Sequence, residues 1–187
     1  MIRGVQQWIA VVLVCAVTPG CLLNSVQSIS RAPRTKPDTA HAIVVIGMGL
    51  DVAWPYSELQ LIWVEYSVAK QSITGNCFHY NRIVATRPAL PAKVTYFAFE
   101  VPTNVYVYLN NPNLSLSPSP NGHAFKAPPG ATVYFGDYVL VGRKAVEFRQ
   151  DIAAARAGAR ALLPRGTVLE LAEQTTAAHA HALLCTP

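Results

Sequence analysis

The alternation of apolar and polar residues lays out a succession of short extended segments. The unbroken β-branched run 41–48 (HAIVVIGM) predicts a strand buried on both faces. The segments 59–66 (LQLIWVEY) and 77–86 (CFHYNRIVAT) carry the aliphatic and aromatic residues that favour strands, with turns at 51–56 and 71–76. Two prolines make 87–91 a loop. In 93–101 (KVTYFAFEV) the period is two: Val94, Tyr96, Ala98 and Glu100 share one face, and Thr95, Phe97, Phe99 and Val101 the other. The run 105–109 (VYVYL) follows after only three residues, so the two runs read as a hairpin. After a polar, proline-interrupted loop at 110–122 and a segment at 123–126 too short to assign, Pro128-Pro129-Gly130 turns the chain into 131–141, where Gly136-Asp137 marks a bulge or a tight bend. A short strand at 144–148 comes next.

The period then lengthens. In 150–163 (QDIAAARAGARALL), Ile152, Ala155, Ala159 and Leu163 form one stripe at helical spacing. Ala, Leu and Arg are strong helix formers, Asp151 suits the N-terminal end, and Pro164 stops the segment. Two closing strands are expected at 167–172 and 180–185. The pattern predicts a mainly β domain over 40–187, a β-sandwich or partly open barrel of about eight or nine short strands with one late α-helix near 150–163.

The first twenty residues follow another logic. Arg3 precedes a ten-residue apolar core at 8–17, and Thr18, Pro19 and Gly20 form a small-residue exit. That core is too short to span a hydrocarbon layer of roughly 30 Å, so 1–20 reads as a cleavable export signal. The residues Thr18-Pro19-Gly20-Cys21 resemble the lipobox of bacterial lipoproteins, with Thr18 where leucine is usual. The resemblance covers the first 21 residues. It implies cleavage after Gly20, a diacylglyceryl thioether on Cys21 and acylation, by palmitate or a similar chain, of the new amino group. Leu22, in place of the aspartate that retains such proteins at the inner membrane, implies the cell outer membrane. Residues 21–39 then form a lipidated flexible tether that lifts the domain off the bilayer. The alternative is a plain secretory signal that leaves Cys21 as a free thiol. The domain itself, with Pro-Pro-Gly before a tyrosine-rich strand and a late alanine-rich helix, loosely resembles small β-rich envelope lipoproteins.

With Cys15 removed in the signal, Cys77 and Cys185 remain, and an oxidising compartment favours their disulfide. It would close a loop on the order of one hundred residues and contribute about 4–5 kcal/mol in the chain-entropy model. The competing reading uses the same sulfurs. Cys77 and His79 share one strand face, and His179 and His181 another, so the four with Cys185 form a candidate copper or zinc cluster of a periplasmic metal-binding protein. An oxidised pair cannot donate thiolates, and no CxxC or HExxH spacing is present.

Only 13% of residues are charged, which implies a nearly neutral surface suited to a membrane or a partner. The net charge is +5, but Arg31, Arg34 and Lys36 gather in the tether and the rest are scattered along the chain, which argues against nucleic acid. No nucleophile elbow, Walker loop or dinucleotide fingerprint occurs, so no catalytic residues are assigned and no cofactor is expected. Asp137 is a candidate buried acid, though a turn aspartate more often caps backbone. Tyr96, Tyr106, Tyr108, Tyr134 and Tyr138 are read as a candidate surface row for a glycan or a protein partner. The resulting expectation is a non-enzymatic, membrane-anchored envelope lipoprotein acting as a binding, accessory or assembly subunit.

Overall fold

The computed structural model describes residues 25–26, 28–30, 35–74, 81–89, 92–109, 115–116, 123–141 and 145–177. In chain order their elements are β1 (Ser25–Val26), β2 (His41–Leu50), β3 (Glu58–Ser67), β4 (Ser72–Ile73), β5 (Arg82–Pro88), β6 (Ala92–Pro102), β7 (Asn104–Tyr108), β8 (Ser115–Leu116), β9 (Ala124–Ala127), β10 (Thr132–Leu140), β11 (Ala145–Arg149), α1 (Ile152–Gly158), a 3₁₀ turn (Arg160–Leu162), β12 (Glu170–Leu171) and β13 (Gln174–Thr175). They make two sheets. One runs β1-β5-β3-β7-β9-β13, with β4 beside β3; the other runs β6-β2-β10-β11-β8, with β12 beside β10. The sheets are mixed or antiparallel and do not close into a barrel, so the fold is a β-sandwich.

The inner faces of both sheets supply one core. Val44, Ile46, Met48, Phe99, Phe135, Tyr138 and Leu140 meet Leu59, Leu61, Trp63, Ile83, Tyr106, Tyr108 and Phe125. The apolar run of β2 is explained by its two buried faces. Its even-numbered residues enter that core, while Ile43 and Val45 on the outer face lie under α1 with Ala98 and Tyr134. The stripe read from the sequence does the covering: Ala155, Ala159 and Leu163 are buried there and Ile152 packs at the margin. β2 also pairs in parallel with β10, Ile43 opposite Thr132, an arrangement usual for strands covered on both sides. The expected bulge sits between Tyr134 and Gly136. Gly136 has φ +137, and a Cβ there would come 2.2 Å from Phe148 Cε2, so this site requires glycine.

Several expectations are corrected. β6 and β7 are not a hairpin: β6 pairs with β2, whereas β7 pairs with β3 and β9 in the other sheet. Thr103 carries the chain across, because the single residue between Pro102 and Asn104 cannot make a hairpin loop. The helix is shorter than 150–163. Asp151 Oδ1 accepts from the Ala154 amide and starts α1 at Ile152, while Leu162 bonding back to Ala159 tightens the last turn before Pro164 forces Leu163 into extended backbone. The loop expected at 87–91 begins later, since Arg87 and Pro88 still pair with Leu59 and Glu58. The 71–76 turn contains β4, the expected 167–172 strand shrinks to Glu170–Leu171, and the short segment after the long loop becomes β9.

The tether also departs from expectation. Ser25 and Val26 pair in parallel with Arg82 and Ile83, Ser28 bridges to Phe99, and the Ile29 amide donates to the Ala98 carbonyl at 2.7 Å. The segment thus touches one edge strand of each sheet, and Val26 and Ile29 each pack against buried clusters. Those apolar contacts are what a freely mobile spacer would lack.

Candidate functional site

The tyrosine row does not form. Tyr106, Tyr108 and Tyr138 lie in the inter-sheet core and Tyr134 lies under α1, all four buried; Tyr96 is half-buried on the outer face of β6. The reading failed because it assumed that β6 and β7 were neighbours, and because a strand covered on both faces has no wet side. Inside, these rings do structural work. Tyr138 packs edge-on to Trp63 with ring centres 4.9 Å apart, stacks on Tyr108 at 5.3 Å and meets Phe148 at 5.3 Å. The Tyr106 hydroxyl donates to the Pro102 carbonyl at 3.0 Å.

Asp137 is buried on the outer face of β10 and does not cap a turn. It fits because the facing position on β2 is glycine: a Cβ on Gly47 would lie 1.9 Å from Asp137 Oδ1. Tyr96 donates a long hydrogen bond of 3.5 Å to Oδ2, whereas Oδ1 and the neighbouring Tyr134 hydroxyl approach each other without good hydrogen-bond geometry and have no other partner among the described residues. Burial pushes the carboxyl above its ordinary range, and the nearby Asp151 adds to this. The Tyr134 and Tyr96 hydroxyls and the Arg149 guanidinium act in the opposite direction. Burial, then Asp137, pushes the Tyr96 phenol up to about 12. A buried acid, a buried phenol and a half-buried one form a polar inclusion between sheet and helix rather than a cleft open to substrate.

An open cavity lies on the same side. Residues from α1, the 3₁₀ turn and the 163–169 segment enclose a groove of about 1040 Å³. Arg156, Arg160 and Arg165 line it with Pro164, Thr167 and Val168, and among the described residues no carboxylate or aromatic side chain takes part. Arg156 is held in place, its Nε and Nη2 both donating to the Leu169 carbonyl at 3.1 and 2.9 Å. Arg160 and Arg165 are exposed and have no ion-pair partner among the described residues. The Thr167 hydroxyl is buried without a partner. Val168 and Leu171 beside it are 64% and 49% exposed. Sequence reasoning treated these arginines as helix formers and scattered charge; the signal it passed over was the four-residue spacing of Arg156 and Arg160, which puts both on one helical face.

Strand register places this groove at a definite end of the sandwich. Arg82, opposite Ser25, also faces Val64, and Tyr66 faces Val105, so β1 begins at the end where β7 begins. Thr103 joins β7 to β6 there, Pro102 faces His41, and Thr132 faces Ile43. Val133 faces Glu170, and the parallel β12 therefore leaves Val168 and Leu169 at that same end.

The candidate lipidation site Cys21, the cysteines Cys77 and Cys185, and the histidines His79, His179 and His181 lie outside the described residues. Among the described residues no three His, Cys, Asp or Glu side chains come together as metal ligands, and no helix is long and apolar enough to cross a membrane. What fold and site define is a two-sheet β-sandwich with a helix over one outer face and a basic groove at one end. No family model, no curated protein and no solved structure matches the chain.

Proposed function

We propose that this chain is a non-enzymatic lipoprotein of the bacterial envelope, held to the outer membrane by acyl chains on Cys21 and acting through its surface as a binding or assembly subunit. The observation that carries the reading is Arg3, an apolar core and Thr18-Pro19-Gly20-Cys21 in succession. One acyl chain holds a protein only marginally, and two or three on one residue make the attachment lasting. The docking of Ser25–Val26 on Arg82–Ile83 gives the anchor a mechanical consequence. Only three residues separate Cys21 from Ser25, a reach of at most about 14 Å for extended chain. The sandwich is then held against the bilayer by the end where β1 begins. Metabolic labelling tests the reading: a clickable palmitate analogue should enter the wild-type protein and not Cys21→Ser, and equal label in both overturns it.

A further inference from the structure

We infer that the groove lined by Arg156, Arg160 and Arg165 is a docking site for the phosphate of an anionic lipid head group, with Val168 and Leu171 entering the acyl boundary beside it. Its choice of partner rests on the anchored reading. Three guanidinium groups around one space repel each other, and the lining has no carboxylate among the described residues to balance them. An oxyanion relieves that repulsion, and guanidinium forks match phosphate oxygens two at a time. Arg156 is already oriented by Leu169, so less freedom is lost when it binds. Among the described residues the lining holds no aromatic side chain, and so no stacking platform of the kind a single-stranded nucleic acid would use. Exposed Val168 and Leu171 cost nothing where the partner is itself partly apolar. Finally, register puts the groove at the end where β1 begins, the end that a Cys21 anchor brings to the head groups.

The test uses the full-length protein in nonionic detergent and calorimetric titration with three probes: dihexanoyl phosphatidylglycerol, dihexanoyl phosphatidylcholine and inorganic phosphate. Phosphatidylglycerol should bind, more weakly as salt rises, and at least tenfold tighter than either other probe. Arg160→Glu/Arg165→Glu should lower its affinity at least tenfold with unchanged thermal melting. The Arg160→Gln/Arg165→Gln variant, which removes the charge and keeps a polar, hydrogen-bonding side chain, should do the same. Equal binding of both lipids, binding indifferent to the substitutions, or no binding at all overturns the proposal. Inorganic phosphate binding as tightly as phosphatidylglycerol overturns the lipid assignment. The mass of the same sample reports acylation separately: an acylated protein that ignores phosphatidylglycerol removes the groove and leaves the anchor.

Discussion

Trp63 Nε1 donates a hydrogen bond to the Tyr138 hydroxyl at 3.2 Å in the middle of the core, joining β3 of one sheet to β10 of the other. Both side chains are fully buried. Tyr138→Phe leaves the indole N–H without that acceptor and should destabilise the fold by about 1–3 kcal/mol. Trp63→Phe should cost more, through lost volume. A double-mutant cycle read by denaturant midpoints should show a coupling on the order of 1 kcal/mol; strict additivity would mean that the bond contributes nothing.

Gly47 and Asp137 form a second pair, across β2 and β10. Because a Cβ on Gly47 would stand 1.9 Å from the carboxylate, Gly47→Ala should cost about 1–3 kcal/mol or more. In the Asp137→Ala background the same change should cost less, the remainder being the contact with Val94, whose Cγ1 would stand 2.7 Å from the new Cβ. A full penalty in both backgrounds would show that Val94, and not the carboxylate, excludes the methyl group.

The buried carboxyl predicts a pH dependence of defined sign. In the unfolded chain Asp137 ionises in the ordinary range; in the fold, burial keeps its proton to higher pH. The folded state therefore binds more protons between those two values, and stability falls as pH rises through that window. Asp137→Asn should be more stable than wild type at neutral pH, on the order of 1 kcal/mol, and the two should converge in acid. Urea midpoints across pH check this; a variant less stable at pH 7 than at pH 4 relative to wild type contradicts it.

The docked N-terminal segment should also be measurable. Val26 packs against the core at the open side of the sandwich, so Val26→Asp should release it at a cost of about 1 kcal/mol. The Ile29 amide, bonded to the Ala98 carbonyl, should then exchange with solvent much faster, while the amides of β2 keep their protection. Rapid exchange at Ile29 already in the wild type would restore the free spacer.

Most strands could be read from the chain because their cause is local. The run 41–48, the alternation in 93–101 and the stripe from Ile152 to Leu163 each announce which face is buried. Pairing was less legible, because it depends on partners far away in sequence. Nothing near Tyr96 or Tyr106 reveals that Thr103 moves the chain between sheets, or that β2 lies parallel to β10 across 89 residues. The same gap misplaced the tyrosines: they satisfy a surface pattern and a core pattern equally well, and burial on both faces of β10 decides for the core. Arg156, Arg160 and Arg165 gather only once Pro164 and the turn after it fold the chain back along α1, so the groove had no sequence signature beyond one helical spacing.

The proposed attachment at Cys21 underlies the orientation of the sandwich, the role of the groove and the choice of compartment. Mass spectrometry of the N-terminal peptide from protein purified out of its native membrane tests it most directly. The account predicts a peptide that begins at Cys21 and carries a diacylglyceryl group with a third acyl chain on its amine. A water-soluble protein that retains residues 1–20, or one that begins at an unmodified Cys21, would contradict it.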